Sequence, residues 1–384
     1  MPTVATDSES SAATAGRAVL LLDAKANVPS PFERTADGRT IDAGTPVDLE
    51  RLEQGGVGAI VLTANVVRAP RTPAGVASDL QVIEAKLQAI KDIAAAKPTR
   101  AQLAYSADDV ARIATAGRIA IIMGLTGAHA LGTDLGAIER VYRQGVRMLG
   151  LVHMGNNQFV DSSRPYGNEP ANEHGGLSSL GRLAIGEANR LGLLIDVSQF
   201  STDAVMQTLR ISRAPVVASH SGVRALVDNP RNLTDVEITA IAKAGGVIGI
   251  VAFSLYLRNP TQAELAARAE IAERYGGMKN GYEGVSVESR QAFYRELAAV
   301  TSRATLEDYL HTIDHVVDRV GIDHVALSSD FNQGGGIDGW NDGSEAPNLI
   351  AALRKHGYSE SDVQRICGRN FLRVWRTAQD VASS

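Results

Sequence analysis

The sequence predicts an α/β protein built as a (β/α)8 TIM barrel, and three features of its 384 residues carry that prediction. Short β-branched or Leu-rich runs recur eight times. Stretches of helical periodicity separate them, and the runs are almost continuously apolar, as strands buried on both faces must be. Eight strand-helix units in a chain of this size close most simply into a barrel whose chemistry lies at the C-terminal ends of the strands. An open doubly wound sheet is the alternative. The missing G-x-G-x-x-G after the first run weakens its dinucleotide-binding version.

In chain order the runs are "AVLLLD" (18–23), "VGAIVLT" (57–63), "RIAIIMGL" (118–125), "VRMLGLVH" (146–153), "LLIDVS" (193–198), "APVVASH" (214–220), "GVIGIVAF" (246–253) and "HVALSSD" (324–330). Between them, "DLQVIEAKLQAIKDIAAA" and "LEDYLHTIDHVVDRVG" have the 3.6-residue period of crossover helices. Residues 1–16 are Ser/Ala/Thr-rich and read as a disordered leader, with no basic and apolar segments of a secretory signal. Residues 17–384 then form one barrel domain. The polar, helix-prone stretch 254–304 is an insertion between strands seven and eight, and "SESDVQRICGRNFLRVWRTA" is a helical pair covering the barrel.

Composition narrows the function. Hydrophobic residues make up 44% and charged residues 21%, so the chain can bury a large core. The net charge of -5 comes with scattered basic residues, which excludes an electrostatic footprint for nucleic acid or an anionic membrane. No apolar stretch approaches the roughly 20 residues needed to cross a bilayer. A single cysteine, Cys367, excludes an internal disulfide and any multi-cysteine metal cluster, and points to a packed thiol in a cytoplasmic chain.

In a barrel the strand ends name the pocket. They are Asp23, Lys25 and Asn27; Thr63 and Asn65; Thr126; His153; Ser198 and Gln199; His220; and Asp330. Each has a structural role open to it, such as a helix cap for Asp or a hydrogen-bonded His. Two histidines, a lysine and a carboxylate converging on one rim favour a functional site.

The stretches "VDLERLEQGGVGAIVLT", "YRQGVRMLGLVH", "GGLSSLGRLAIGEANRLGLLIDVS", "PVVASHSGVRAL", "NPRNLTD", "GGVIGI", "GIDHVALSSDF" and "SESDVQRICGRNFLRVW" together resemble the membrane (renal) dipeptidase family, peptidase family M19 of the amidohydrolase superfamily. That resemblance implies the barrel, a homodimer, and a small-molecule substrate bearing a carboxylate. It also implies two zinc ions held by a His-x-Asp pair after strand one, a bridging Glu after strand three, and a His after each of strands five and six. Here Lys25 and Asn27 in "DAKAN", Thr126 in "GLTGAH" and Gln199 in "DVSQF" stand at four of those five positions. His220 in "ASHS" alone is kept. An ammonium has no lone pair for zinc, and amide and hydroxyl oxygens bind it weakly, so no metal site is expected; His129 is a weak substitute candidate.

Other matches are retained. Arg231 in "NPRNLTD" matches the arginine that grips the substrate carboxylate, His153 the histidine that contacts the reacting group, and Asp330 the acid that moves protons. The chain then reads "DFNQ" where the family often reads Asp-Phe-Asp-Gly. Removing both carboxylates along with the metals, and adding Lys25 opposite Asp330, is a mutually compatible set of changes.

Three functional readings follow. The first is a metal-independent hydrolase or lyase acting on a small amino-acid-like or peptide-like acid without cofactor. Lys25 supplies its charge as an ammonium or a Schiff base, Asp330 and His220 move protons, and His153 polarises the substrate, with Asn27, Thr126, Gln199 and Arg231 binding it. The second is a conventional dipeptidase with a weakly bound zinc. The third is a non-catalytic protein that binds a carboxylated ligand in the old pocket.

Overall fold

The computed structural model describes residues 19–28, 45–166, 169–275 and 287–383. The proposed leader, residues 1–16, lies outside them. Nine parallel strands run in chain order: β1 (Leu21–Asn27), β2 (Val57–Asn65), β3 (Ala101–Leu103), β4 (Ile119–Thr126), β5 (Val146–Gly150), β6 (Leu194–Ile195), β7 (Val217–Ser221), β8 (Val247–Val251) and β9 (Val325–Ser328). Eight of them, ordered β6-β5-β4-β2-β1-β9-β8-β7, make the barrel wall. The parallel bridge Asp196↔Val217 and the bond from Val197 N–H to the Val217 carbonyl bring its two ends together.

The eight expected runs supply this wall, and the ninth strand is an addition. Three-residue β3 pairs with the first half of β4, on the side where β5 pairs with the second half. So short a strand carries too little alternation to stand out in the sequence. Helices start where Ser, Thr or Asp accepts a bond from the first turn, as Thr72 does for Pro73–Ala96 and Ser178 for Ser179–Leu191. Reciprocal capping boxes fix the starts of Asp235–Lys243, Gln262–Arg274 and Leu306–Val320. Gln262–Arg274 and Val287–Ala299 lie between β8 and β9, inside the stretch read as an insertion.

Period-2 alternation divides the core into two layers. Leu22, Ala24, Ala59, Val61, Ala120, Ile122, Met148, Val217, Val247 and Ala326 fill the barrel with Phe371 and Trp375 of the last helix, Asn370–Ser383. Their neighbours, such as Leu21, Ala26, Ile60, Leu62, Ile121 and Ile248, face the surrounding helices. Cys367 is packed beside that closing helix, and burial pushes its thiol up to about 12.

Four register shifts interrupt the pairing among the described strands, and two of them matter for function. On β1, Asp23 pairs with Ile60 and Ala26 with Leu62, so Ala24 and Lys25 together stand opposite Val61. On β7, Ala218 pairs with Ile248 and Ser221 with Ile250, so Ser219 and His220 together stand opposite Gly249. Each extra residue is a β-bulge that reverses the phase of the strand. Without the bulges Lys25, Asn27 and His220 would point at helices; with them, all three turn into the barrel mouth.

Gly249 has no room for a side chain, because a Cβ there would stand 2.3 Å from the Ser219 carbonyl oxygen. Gly249→Ala is therefore expected to push β7 and β8 apart and cost about 3 kcal/mol. The midpoint of urea unfolding measures this, and a midpoint like that of the wild type would show that the bulge tolerates the methyl group.

Candidate active site

Each bulge is held by a buried carboxylate. Asp23 accepts the Lys25 N–H at 3.1 Å and the Ser329 N–H at 2.9 Å, and its other oxygen accepts the Ser329 hydroxyl. Asp196 accepts the Ser198 and Ser219 N–H groups at 3.1 and 3.0 Å, and both serine hydroxyls at 2.6 Å. The sequence reading placed Asp23 on the rim without this role and missed Asp196. The legible signal is an Asp two residues before the pocket residue, in "DAK" and "DVS".

Lys25 is fully buried. Its Nζ donates to Asn27 Oδ1 at 2.8 Å and forms an ion pair with Asp330 Oδ1 at 3.3 Å. Asn27 Nδ2 donates to the same Asp330 oxygen at 2.8 Å, and Asn27 Oδ1 also accepts from Asn65 Nδ2 at 2.9 Å. Asp330 adopts a φ of 51°, an uncommon left-handed conformation for a residue with a Cβ, while its N–H bonds the Lys25 carbonyl at 2.8 Å. The strand-one and strand-eight residues are thus one hydrogen-bonded cluster.

Beside it lies Lys86, which the sequence reading missed. It comes from the helix Pro73–Ala96, on the same buried stripe as Ile83, Leu87 and Ile90, which was the signal available. Its Nζ reaches the Val28 carbonyl at 3.4 Å and Asn65 Oδ1 at 3.5 Å. Burial first, and then the Lys25 charge, lower its pKa to about 8.

Across the mouth, His220 belongs to a chain of bonds that sets its tautomer. Ser219 Oγ donates to Asp196 Oδ2, so it accepts from His220 Nδ1 at 2.8 Å. The lone pair on Nε2 then faces the Gln199 amide nitrogen at 3.1 Å. Burial, followed by the positive charges of Lys25 and Arg231, holds His220 well below the ordinary imidazole value. His153, half-buried at the end of β5, is lowered in the same way, by burial first and then by Lys25 and Arg164. Both imidazoles are neutral.

Arg231 is buried with its terminal nitrogens on the Ser198 and His220 carbonyls, the latter at 3.0 Å. Its guanidinium lies 5.4 Å from the Tyr256 ring centroid. Thr126 is buried in register with Asn65 on β2 and Gly150 on β5. Thr126 Oγ1, Gln199 Oε1 and Arg231 Nε are buried polar atoms without a hydrogen-bond partner. His129 instead packs against the helix, its Nε2 3.4 Å from Asp79.

The family model described as membrane dipeptidase (peptidase family M19) matches residues 11–384. The chain is a member of that family. It is 32% identical to the dipeptidase tcpJ of Claviceps purpurea (strain 20.1) over 90% of this chain and 72% of that protein. It is 31% identical to the dipeptidase verJ of Clonostachys rogersoniana over 87% of this chain and 76% of that one. Among solved structures, the probable dipeptidase PvdM from Pseudomonas aeruginosa superposes with a TM-score of 0.86 at 35% identity, covering 94% of this chain and 96% of that one.

The donor set in this M19 barrel does not suit the two zinc ions that the resemblance implies. Among the described residues no three His, Cys, Asp or Glu side chains converge as metal ligands. An ammonium, two carboxamides and a hydroxyl stand at four of the implied positions, and the ammonium donates to the Asn27 oxygen and to Asp330.

Titration should expose the opposite characters of Asp23 and the histidines. Burial raises Asp23 from 3.8 to about 7, so between those values the folded chain binds a proton that the unfolded chain does not, and stability falls as pH rises. The depressed histidines act in the other direction, losing stability as pH falls below their unfolded value. Asp23→Asn is expected to remove only the first contribution, so the variant gains stability relative to wild type on going from pH 4.5 to pH 8. Urea midpoints across that range check this, and a difference that does not change with pH would contradict it.

Proposed function

We propose that this dipeptidase-family protein is a metal-independent enzyme acting on a small, carboxylate-bearing, amino-acid-like or peptide-like substrate. One observation carries the reading. The buried Lys25 ammonium, ion-paired with Asp330, stands where the family resemblance implies a zinc ligand. A fixed cation in a water-poor site can stabilise negative charge developing on a carbonyl oxygen, which is what zinc would otherwise supply.

The remaining residues fit around that charge. His220 is neutral, with its proton on Nδ1 anchored through Ser219 to Asp196, and its Nε2 lone pair, which accepts from the Gln199 amide, would serve as general base once the attacking water displaces that amide. In hydrolysis it would take a proton from water attacking the carbonyl carbon while Lys25 receives the developing oxyanion. The proton would then pass to the leaving nitrogen as the C–N bond breaks. His153 faces the substrate as a neutral donor, and Arg231 Nε is free for the carboxylate. The ion pair with Asp330 favours the ammonium role of Lys25 over a Schiff base. Lysis of a carbon-nitrogen or carbon-carbon bond would use the same groups.

The relatives named dipeptidases support peptide-like substrates and a hydrolase, and they are the argument for the alternative, a zinc dipeptidase with one weakly held ion. Lys25→Met is expected to lower turnover of an accepted dipeptide or acylated amino acid by about a thousandfold, with the circular dichroism of the folded chain retained. Full activity in that variant would remove the reading. Elemental analysis of the purified protein should find zinc only substoichiometrically, and chelator should leave turnover unchanged; one zinc per chain with chelator-sensitive cleavage would favour the alternative.

A further inference from the structure

Arg164 has no part in the scheme above, yet it borders the same pocket. The segment that carries it is fastened along the end of β6. Ser162 bridges Phe200, the Ser163 N–H bonds the Gln199 carbonyl at 2.9 Å, and Ser162 Oγ bonds the His153 carbonyl at 3.2 Å. This places the Arg164 charge close enough to His153, His220 and Arg231 to lower the pKa of all three.

A guanidinium in such a place normally has a carboxylate beside it. Arg164 is half-buried and makes no ion pair with any described residue, and its Nε is a buried atom without a hydrogen-bond partner. The acids on the same loop are already engaged. Glu169 is paired with Arg68 and accepts the Asn156 and Tyr166 N–H groups, and Asp161 accepts the His174 and Gly176 N–H groups. Arg231 is buried more deeply and likewise has no carboxylate beside it and an unpartnered Nε.

We infer that the pocket receives a ligand with two anionic groups, one taken by Arg231 and the other by Arg164. This rests on the carboxylate-bearing substrate proposed above and narrows its class to diacids, such as a dipeptide or amino-acid derivative with an acidic side chain. Two arguments separate it from a single carboxylate gripped twice. The terminal nitrogens of Arg231 are bonded to the Ser198 and His220 carbonyls, so its approach to a ligand is fixed. Arg164 approaches from the β5–β6 connection, a different element, with its own unmet donor. A second anionic group also supplies a partner for the half-buried Arg164 guanidinium, whose Nε has none.

Calorimetric titration of the full-length protein with glutarate and with butyrate, at equal ionic strength, tests this. Glutarate is expected to bind at least tenfold more tightly. In R164Q that preference should collapse, with glutarate weakened tenfold or more and butyrate by much less, while R164K recovers part of it. Equal affinities for the two acids in the wild type, or an equal loss of both in R164Q, would overturn the diacid class. If butyrate still binds and R231K weakens it, the carboxylate reading stands without the diacid. If neither acid binds, both fall.

Discussion

The site depends on two buried carboxylates that hold two bulges. Asp23 and Asp196 each accept backbone N–H groups from their own strand and from a neighbouring one, together with serine hydroxyls. An unpaired N–H in a buried bulge is costly, and these acceptors satisfy such groups on the spot. Because each bulge reverses the phase of its strand, the carboxylates decide which side chains reach the barrel mouth. The two strands carrying the chemistry, β1 and β7, therefore use one device.

The electrostatics follow from that geometry. Lys25 enters the mouth next to Asp330 and Asn27, and Lys86 lies beside them with the Val28 carbonyl and Asn65 Oδ1 as partners. Arg231 and Arg164 add their positive charge around His220. Burial first, and then this concentration of positive charge, hold both imidazoles well below the ordinary value, which preserves His220 as a base. Of the residues at the implied metal positions, Lys25 and Asn27 bond each other and the retained Asp330, Gln199 bonds the retained His220, and Thr126 Oγ1 has no partner. The chemistry proposed here uses the retained M19 barrel with a fixed cation in place of a bound one.

The barrel was legible because each wall strand is an apolar run flanked by turn residues, and β3 was not because three residues carry no period. The rim residues were legible from their position at strand ends and from the family resemblance. Lys86 and Arg164 were not. Lys86 lies on a helix, where a lone lysine in an apolar stripe is easily read as reaching solvent, and Arg164 lies in a connection without periodicity. Which charges meet in the pocket depends on how these segments fold back over the strand ends.

By itself, the sequence determined the fold class, the family and which residue types stand at the strand ends, since these follow from hydrophobic patterning and from residue identity. The tertiary structure decided which of those residues face inward. Strict alternation along β1 would have sent Lys25 and Asn27 to the helical layer with Leu21, and Ala26 to the interior with Leu22 and Ala24. The bulge opposite Val61 reverses that, and its acceptor, Asp23, works together with Ser329 from the other end of the chain. A strand's phase is a property of its pairing, and pairing exists only once the barrel has closed.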